Sequence, residues 1–238
     1  MSFHALRVGA SGMQAALVRQ SISANNVANL QTTAFKATLA RQTDVKGGGT
    51  RVASTPLDDR QGPIEMATNA FDLAIDGPGL LRVRTPEGIR YTRAGVFGLD
   101  AQGELVTPQG YHLDPPVRMA AGAVSFEVAT DGTVRALDAN GNAAVAGQIA
   151  LVNFDNVQGL TIEGRNLYAA SLASGLPRGG APGSPGFGRL RTGALEGSNV
   201  DLAEETVAQI RDLHAFKINA RTVRTADQML GTLLDLRR

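Results

Sequence analysis

The chain contains no cysteine and no tryptophan, and aromatic residues make up only 5% of its 238 residues. Without cysteine, neither a disulfide nor a thiolate zinc site can form, so stability must come from packing and assembly. The formal net charge is +1, from 23 basic and 22 acidic residues. This balance creates no overall field that would attract nucleic acid or an acidic membrane. We therefore predict neither a nucleic-acid partner nor direct membrane insertion.

Long apolar runs are also missing. No stretch approaches the roughly 20 consecutive apolar residues that cross a bilayer. The N-terminal sequence MSFHALRVGASGMQAAL lacks the basic start, apolar core and small-residue cleavage site that together mark a secretory signal. Taken alone, these features predict a cytoplasmic protein.

Proline and glycine are scarce at both ends. All ten prolines lie between Pro56 and Pro185, and 25 of the 28 glycines lie between Gly47 and Gly197. Both residue types mark turns and weaken helices, so we predict an α+β fold with helical ends around a central all-β domain. The predicted segments are an N-terminal helical assembly segment at 1–46, a linker at 47–66, the β domain at 67–175, a Gly/Pro-rich linker at 176–198 that should be irregular, and a C-terminal helical assembly segment at 199–238.

Each end carries an apolar or small-residue stripe with helical spacing. The N-terminal stripe alternates steps of four and three, as a heptad seam does, through Leu6, Ala10, Met13, Leu17, Gln20, Ala24 and Val27. The C-terminal stripe recurs at three or four residues, with one gap, through Ile210, Leu213, Phe216, Ala220, Val223, Leu230 and Leu234. Polar and acidic residues from Ser198 to Glu205 predict a capped helix start near Leu202. The stripes fit either packing on the chain's own core or a coiled-coil-like pair of long helices that stacks against neighbouring copies.

The middle of the chain alternates apolar and polar residues in short segments such as GLLRVRT and TVRAL. Turn pairs such as Gln102-Gly103 and Asn140-Gly141 separate them at intervals typical of an all-β sandwich or barrel. No helical period lies between these segments, so a parallel α/β sheet is excluded.

No constellation of reactive residues stands out. The histidines His4, His112 and His214 lie in three different zones without metal-ligand spacing. The sequence from Asp138 to Asn142 resembles the start of a calcium loop, but Ala143 replaces the required glycine, so a hairpin turn explains it better. We predict no catalytic, cofactor or metal site, and no enzyme activity.

Four segments, in order, resemble the flagellar basal-body rod and hook family. SANNVANLQTTAFKA (residues 23–37) matches the family's N-terminal signature at Asn25, Asn26, Ala28, Asn29, Thr32, Thr33, Phe35 and Lys36, with Ala34 in place of the usual glycine. This replacement predicts a less strained or differently placed turn. The other three segments are QGPIEMATNAFDLAIDGPGLLRV (61–83), RYTRAGVFGLDAQGELVTPQGY (90–111), and the C-terminal pair GALEGSNVDLAEETVAQI (193–210) with TADQMLGTLLDL (225–236).

The resemblance implies paired terminal helices and a β domain in a subunit that polymerises with copies of itself into a hollow tube. It also implies adjacent rod and hook proteins as partners, and the flagellar type III export apparatus as the route out of the cell. The implied location is the periplasm-spanning rod of the basal body, reached without a cleaved signal peptide. Length argues against the hook protein and the shortest rod proteins. The segments at 147–171 and 180–200 resemble the distal rod subgroup more than the proximal one, which is the second choice.

The predicted assembly interface combines the motif with the helix stripes. Its residues are Leu6, Met13, Leu17, Asn25, Asn26, Val27, Asn29, Phe35, Asn199, Ile210, Leu213, Phe216, Val223, Leu230 and Leu234. The alternative is a soluble binding module outside the flagellum whose long terminal helix happens to be amphipathic.

Overall fold

The computed structural model describes residues 2–120, 122–129 and 131–235, which form two compact units. The helical unit comprises the described residues of Met1–Leu30, Ala37–Asp58 and Val200–Arg238. The β unit comprises Gln31–Lys36 and Asp59–Asn199, apart from the two residues not described. Helical ends and a β-rich centre confirm the predicted α+β class.

Two long helices dominate the helical unit. Helix α1 spans Ser2–Ala28 and helix α2 spans Leu202–Asp235. Helix α2 begins where the sequence predicts, and Asp201 is its cap, because Asp201 Oδ1 accepts hydrogen bonds from the backbone N–H of Ala203 at 2.7 Å and Glu204 at 3.1 Å. The last three residues of the predicted helical segment at 199–238 lie outside the described residues. Neither described helix has the apolar length that crossing a membrane requires.

The two helices are antiparallel and approach closely near one end. A Cβ atom at Gly9 would lie 2.7 Å from Cγ2 of Val223, and one at Gly12 would lie 2.7 Å from the side-chain amide of Asn219. Farther along, Arg19 Nε donates to Asp212 Oδ1 at 2.5 Å. The absence of side chains at the two glycines lets the backbones come together, so these positions set the spacing of the pair.

A β-hairpin packs on another side of α1. Its antiparallel strands are β1 (Arg41–Asp44) and β2 (Thr50–Ser54). The backbone N–H of Thr50 donates to Ser11 Oγ at 3.2 Å, and Arg7 donates to the carbonyl of Gly47 at 2.5 Å. This hairpin occupies a region that the sequence divides between an N-terminal helical segment and a linker. It forms because Gly47, Gly48 and Gly49 all take positive φ, which makes a tight turn possible between two extended segments.

The β unit is antiparallel in every described pairing. Its main sheet has seven strands in the order β14-β15-β6-β5-β9-β8-β7. A three-stranded meander, β10-β11-β12, and three two-stranded pairs, β13-β16, β4-β17 and β3-β18, complete it. The strand bounds are β3 Ile64–Met66, β4 Leu73–Asp76, β5 Leu81–Thr85, β6 Gly88–Thr92, β7 Gly98–Leu99, β8 Leu105–Val106, β9 His112–Leu113, β10 Ala123–Val128, β11 Thr133–Asp138, β12 Ala143–Gln148, β13 Leu151–Asn153, β14 Thr161–Gly164, β15 Leu167–Ala169, β16 Arg178–Gly180, β17 Arg189–Thr192 and β18 Ala194–Glu196.

The core of the β unit is aliphatic with a few aromatic rings. Leu73, Ile75, Leu81 and Val83 from β4 and β5 are fully buried in it, next to Phe97. Asp138 closes the β11–β12 turn by accepting from the backbone N–H groups of Asn140 and Asn142, both at 2.8 Å, which confirms the hairpin interpretation.

Three short strands lie where the sequence predicts an irregular Gly/Pro-rich linker, and that prediction is wrong. Strands β16, β17 and β18 all fall within 176–198 and pair with β13, β4 and β3. Each is only three or four residues long, so the surrounding glycines and prolines mark turns between strands and not a free linker. The β unit consequently extends beyond the predicted bounds of 67–175 on both sides.

Candidate assembly surfaces

The face of α1 that contacts α2 is displaced by one residue from the predicted stripe. The contacting positions are Gly9, Gly12, Arg19, Ser23 and Asn26, which also follow heptad spacing. The predicted positions Leu6, Met13 and Val27 are half-buried, and the side chain of Leu17 is 58% exposed.

The predicted stripe of α2 likewise contains both half-buried and exposed residues. Phe216, Val223 and Leu230 are half-buried, and Val223 is the residue that lies over Gly9. Ile210 and Leu213 are exposed by 52% and 49%. The side chain of Leu234 lies outside the described residues.

The exposed stripe residues of both helices border a single groove. It has a volume of about 500 Å³ and lies between α1 and α2. Its lining is mainly apolar, from Ala16, Leu17, Gln20, Gln209, Ile210, Asp212, Leu213 and Phe216. The structure thus brings Leu17, Ile210, Leu213 and Phe216 together on one surface, where they remain accessible to another protein.

The asparagines of the motif have separate roles at the end of α1. Asn26 is 1% exposed, and its side chain joins three segments: Nδ2 donates to Glu205 Oε1 at 2.6 Å and to the carbonyl of Thr38 at 3.0 Å, while Oδ1 accepts from the N–H of Thr38 at 2.9 Å. Asn29 Nδ2 donates to the carbonyl of Asn25 at 2.9 Å, which satisfies a backbone acceptor at the helix end.

The Gln31–Lys36 part of the motif belongs to the β unit and has the turn that a glycine would favour. Ala34 has φ +54 and is fully buried, with its N–H donating to the carbonyl of Glu196 at 2.7 Å. The expectation of a less strained or displaced turn is therefore wrong, because the hydrogen bond and burial hold an alanine in left-handed geometry. The carbonyl of Phe35 accepts from the N–H of Asn199 at 3.3 Å, so these two predicted residues are also brought together.

A buried ion network that sequence reasoning missed lies next to this turn. Glu196, on β18, is 1% exposed, and its two carboxylate oxygens accept from Lys36 Nζ and Arg93 Nε, both at 2.6 Å. Oε1 also accepts from the backbone N–H of Gly62 at 3.0 Å. Three backbone carbonyls, of Ile75, Gly77 and Gly79, accept from the Nη1 and Nη2 groups of Arg93 at 2.7–3.1 Å. Each charge in the network is thus both paired and hydrogen-bonded, which offsets the cost of burying it.

The network joins residues from all four segments that carry the family resemblance. Lys36, Gly62, Arg93 and Glu196 come one from each segment, yet span 160 residues of the chain. Each of these four residues lies within the family motif of its own segment, and this is the signal in the sequence that could have pointed to them. Sequence alone does not say that they meet.

Tyr168 packs in the same region, and its phenol holds its proton more tightly than an ordinary tyrosine does. The pKa of Tyr168 is raised to about 12, chiefly by burial and also by the negative charge of Glu196, while Arg93 acts in the opposite direction. A phenol in this environment stays neutral and is no candidate for acid–base work near neutral pH.

One group of side chains could hold a metal. The carboxylates of Asp100 and Glu104 and the imidazole of His112 place one ligand atom each within 4.8 Å of one another. Two turns of an antiparallel meander bring these three positions together, which the sequence did not indicate; the prediction of no metal site stays a prediction.

Comparison with known families covers both units. Residues 6–36 match the family described as "Flagella basal body rod protein", and residues 74–136 match "Flagellar hook protein FlgE/F/G D1 domain". Residues 191–236 match "Flagellar basal body rod FlgEFG protein C-terminal".

Individual relatives match over nearly the whole length. The chain is 37% identical to the flagellar basal-body rod protein FlgG of Bacillus subtilis, over 97% of this chain and 97% of the relative. It is 35% identical to the FlgG of Caulobacter vibrioides, over 98% and 99%. The flagellar hook protein FlgE of Salmonella typhimurium is 46% identical over 114 residues, which are 48% of this chain but only 28% of that protein.

Proposed function

This chain belongs to the flagellar basal-body rod and hook protein family, and on that premise we propose that it is a structural axial subunit of the rod. It polymerises with copies of itself into a hollow helical tube that transmits motor torque and conducts exported subunits. The full-length similarity to FlgG proteins supports a place in the distal rod over the proximal rod. It also favours this function over a binding module outside the flagellum, and the subunit needs no enzyme activity.

Adjacent rod and hook proteins are the proposed axial partners, and the type III export apparatus delivers the subunit. The partial similarity to a hook protein supports shared packing rules between neighbouring sections of the tube. The proposed location is the basal-body rod, which the subunit reaches without cleavage of a signal peptide.

The observation that carries the assembly proposal is the apolar groove between α1 and α2. Leu17, Ile210 and Leu213 leave about half of their side-chain surface in water in a single chain. Complete burial of an apolar side chain of this size contributes about 1.5–3 kcal/mol, so covering the exposed half of each residue with a neighbouring copy contributes roughly half of that amount and favours association. We propose that copies pack here in a coiled-coil-like manner.

Sedimentation of Leu213→Asp tests the proposal. The substitution puts a carboxylate into the groove, which a neighbouring copy would bury without a partner, so we expect polymer to disappear from the pellet. Because Leu213 is already 49% exposed in the single chain, far-ultraviolet circular dichroism and the monomer's melting temperature should change little.

His214→Asp is the matched control. His214 is the next residue of α2, is exposed, and does not line the groove. It should retain polymer formation. Normal polymers from Leu213→Asp, or equal loss from both variants, would contradict the role of the groove.

A further inference from the structure

Three potential metal ligands lie together at one end of the β7-β8-β9 meander. Asp100 follows β7, Glu104 precedes β8, and His112 opens β9 opposite Val106. Nothing in the proposed rod function uses this group, and all three residues are within the β unit. The cluster mixes two carboxylates with an imidazole, the donor set that first-row divalent cations accept.

The interatomic distances fit one shared cation. His112 Nδ1 lies 3.1 Å from Glu104 Oε2 and 3.8 Å from Asp100 Oδ2. Two ligands at the usual zinc distances of about 2.0–2.2 Å are about 3.0–3.5 Å apart when the angle at the metal is near 90–110°. The distance to Glu104 lies within that range and the distance to Asp100 lies slightly above it, so a small movement of the Asp100 side chain would complete the site.

The imidazole nitrogen itself points to a missing ligand. His112 Nδ1 is buried and has no hydrogen-bond partner, although the ring as a whole is 45% exposed. The nearby Glu104 oxygen is close enough for a hydrogen bond but lies off the required direction. Oxygen atoms that share a cation with a nitrogen also lie off its lone-pair axis, because the cation occupies the axis.

Asp100 is held ready for this role by its turn. Its Oδ1 accepts from the backbone N–H groups of Gln102 at 2.9 Å and Glu104 at 2.8 Å, which leaves Oδ2 facing His112.

Neighbouring arginines are engaged elsewhere. Arg118 Nε donates to the carbonyl of Gln102 at 3.0 Å, and Arg84 donates to Asp114 Oδ1 at 3.1 Å. Within the described part of the chain, neither arginine forms an ion pair with Asp100 or Glu104. Two carboxylates thus converge on the imidazole without an arginine to neutralise them.

We propose that Asp100 Oδ2, Glu104 Oε2 and His112 Nδ1 bind one first-row divalent cation of the Zn²⁺ type, with water in the open positions. His112 binds as the neutral imidazole with its proton on Nε2, on the exposed side of the ring. The cation joins the β7–β8 turn to β9 and so stiffens this end of the sheet.

Isothermal titration of the soluble full-length chain with ZnCl₂ at pH 7 tests the site. We expect one bound zinc per chain and a rise in melting temperature. Both effects should be lost in His112→Ala, and Asp100→Asn should weaken binding by more than the roughly 10- to 100-fold that loss of an outer-shell partner costs. Asparagine keeps the Oδ1 acceptor that the turn needs, so Asp100→Asn should still fold.

His214→Ala is the control for adventitious binding through a histidine, since this residue is exposed on α2. It should bind zinc as the unaltered chain does. Binding that survives His112→Ala and Asp100→Asn, or the absence of any zinc binding, would overturn the proposal. The latter result would mean that His112 and Glu104 form only an ion pair. Neither result bears on assembly into the rod.

Discussion

Asn26 near the end of α1 donates a hydrogen bond to Glu205 in the first turn of α2, with 2.6 Å between Nδ2 and Oε1. The same side chain holds both the N–H and the carbonyl of Thr38. One buried amide therefore fastens the two helices to the segment that leads into the β1–β2 hairpin. An amide suits this position because it donates and accepts at once.

We predict that Asn26→Asp destabilises the helical unit by about 3 kcal/mol, because it replaces a donor with a buried anion that faces Glu205 and a carbonyl. Oδ1 can still accept from Thr38, so the effect comes from the lost donor together with the new charge. Hydrogen exchange should show faster exchange at Thr38 and in the first turns of α2.

Asn25→Asp is the control, since Asn25 is exposed one residue earlier. It should leave exchange in α2 unchanged. If both variants behaved alike, the motif would act through helix-end charge and not through the hydrogen bonds of Asn26.

Much of the helical architecture was predictable because it depends on local properties. The scarcity of glycine and proline before Gly47 and after Gly197 leaves long segments free to be helical, and the acidic residues before Thr206 mark the start of α2. The contact face was not predictable in the same way. Counting apolar side chains passes over Gly9 and Gly12, yet these two residues define where the backbones meet. Their role depends on Val223 and Asn219, more than 200 residues away.

The β unit shows the same division between local and distant information. Turn residues located the hairpins, but the partners of β17 and β18 are more than 100 residues distant. Among 22 acidic residues, sequence gave no reason to choose Glu196, whose importance comes from burial against Lys36 and Arg93. Likewise, Asp100 and His112 meet only because two antiparallel turns separate them.

Gly9→Ala tests the close approach of the helices. Alanine is about 1 kcal/mol better than glycine in a helix interior, so propensity alone predicts stabilisation. We expect the opposite, a net loss of about 1 kcal/mol, because the new Cβ would lie 2.7 Å from Val223 Cγ2 and force the helices apart. Hydrogen exchange of α2 amides around Val223 measures the change.

Gly231→Ala provides the contrast within α2. A Cβ at Gly231 would have no atom within 4 Å, so only the propensity gain remains. In Gly231→Ala, hydrogen exchange near Gly231 should become slower. In Gly9→Ala, hydrogen exchange near Val223 should become faster. Slower exchange in both variants would show that the two helices accommodate a Cβ atom at Gly9 without moving apart.

Glu196→Gln tests the buried ion network. Glutamine removes the carboxylate that pairs with Lys36 and Arg93, and breaking a buried ion pair by removing one partner costs about 3–5 kcal/mol. We expect a large drop in the urea midpoint of the β unit. Glu65 is an exposed residue on the paired strand β3, so Glu65→Gln should change the free energy of unfolding by no more than about 0.5 kcal/mol. A small change in the urea midpoint for Glu196→Gln would mean that the backbone carbonyls around Arg93 stabilise its guanidinium without the carboxylate.

Tyr168 should make the protein sensitive to alkali. Its pKa is about 12 in the folded chain, against an ordinary value of 10.0. The folded state therefore holds the phenol proton more tightly than the unfolded state does. The stability this provides is fully present below pH 10 and is lost as the pH rises through about 12. At about 1.4 kcal/mol for each pKa unit, the loss approaches roughly 2–3 kcal/mol.

We predict that Tyr168→Phe, which cannot ionise, loses less unfolding free energy than the unaltered chain between pH 9 and pH 12. Urea unfolding at both pH values measures the difference between the two proteins, so ionisation of other groups, including the buried Tyr91, cancels. Parallel loss of stability in the two proteins would show that Tyr168 ionises without opposing the fold, and that its ring reaches solvent before the chain unfolds.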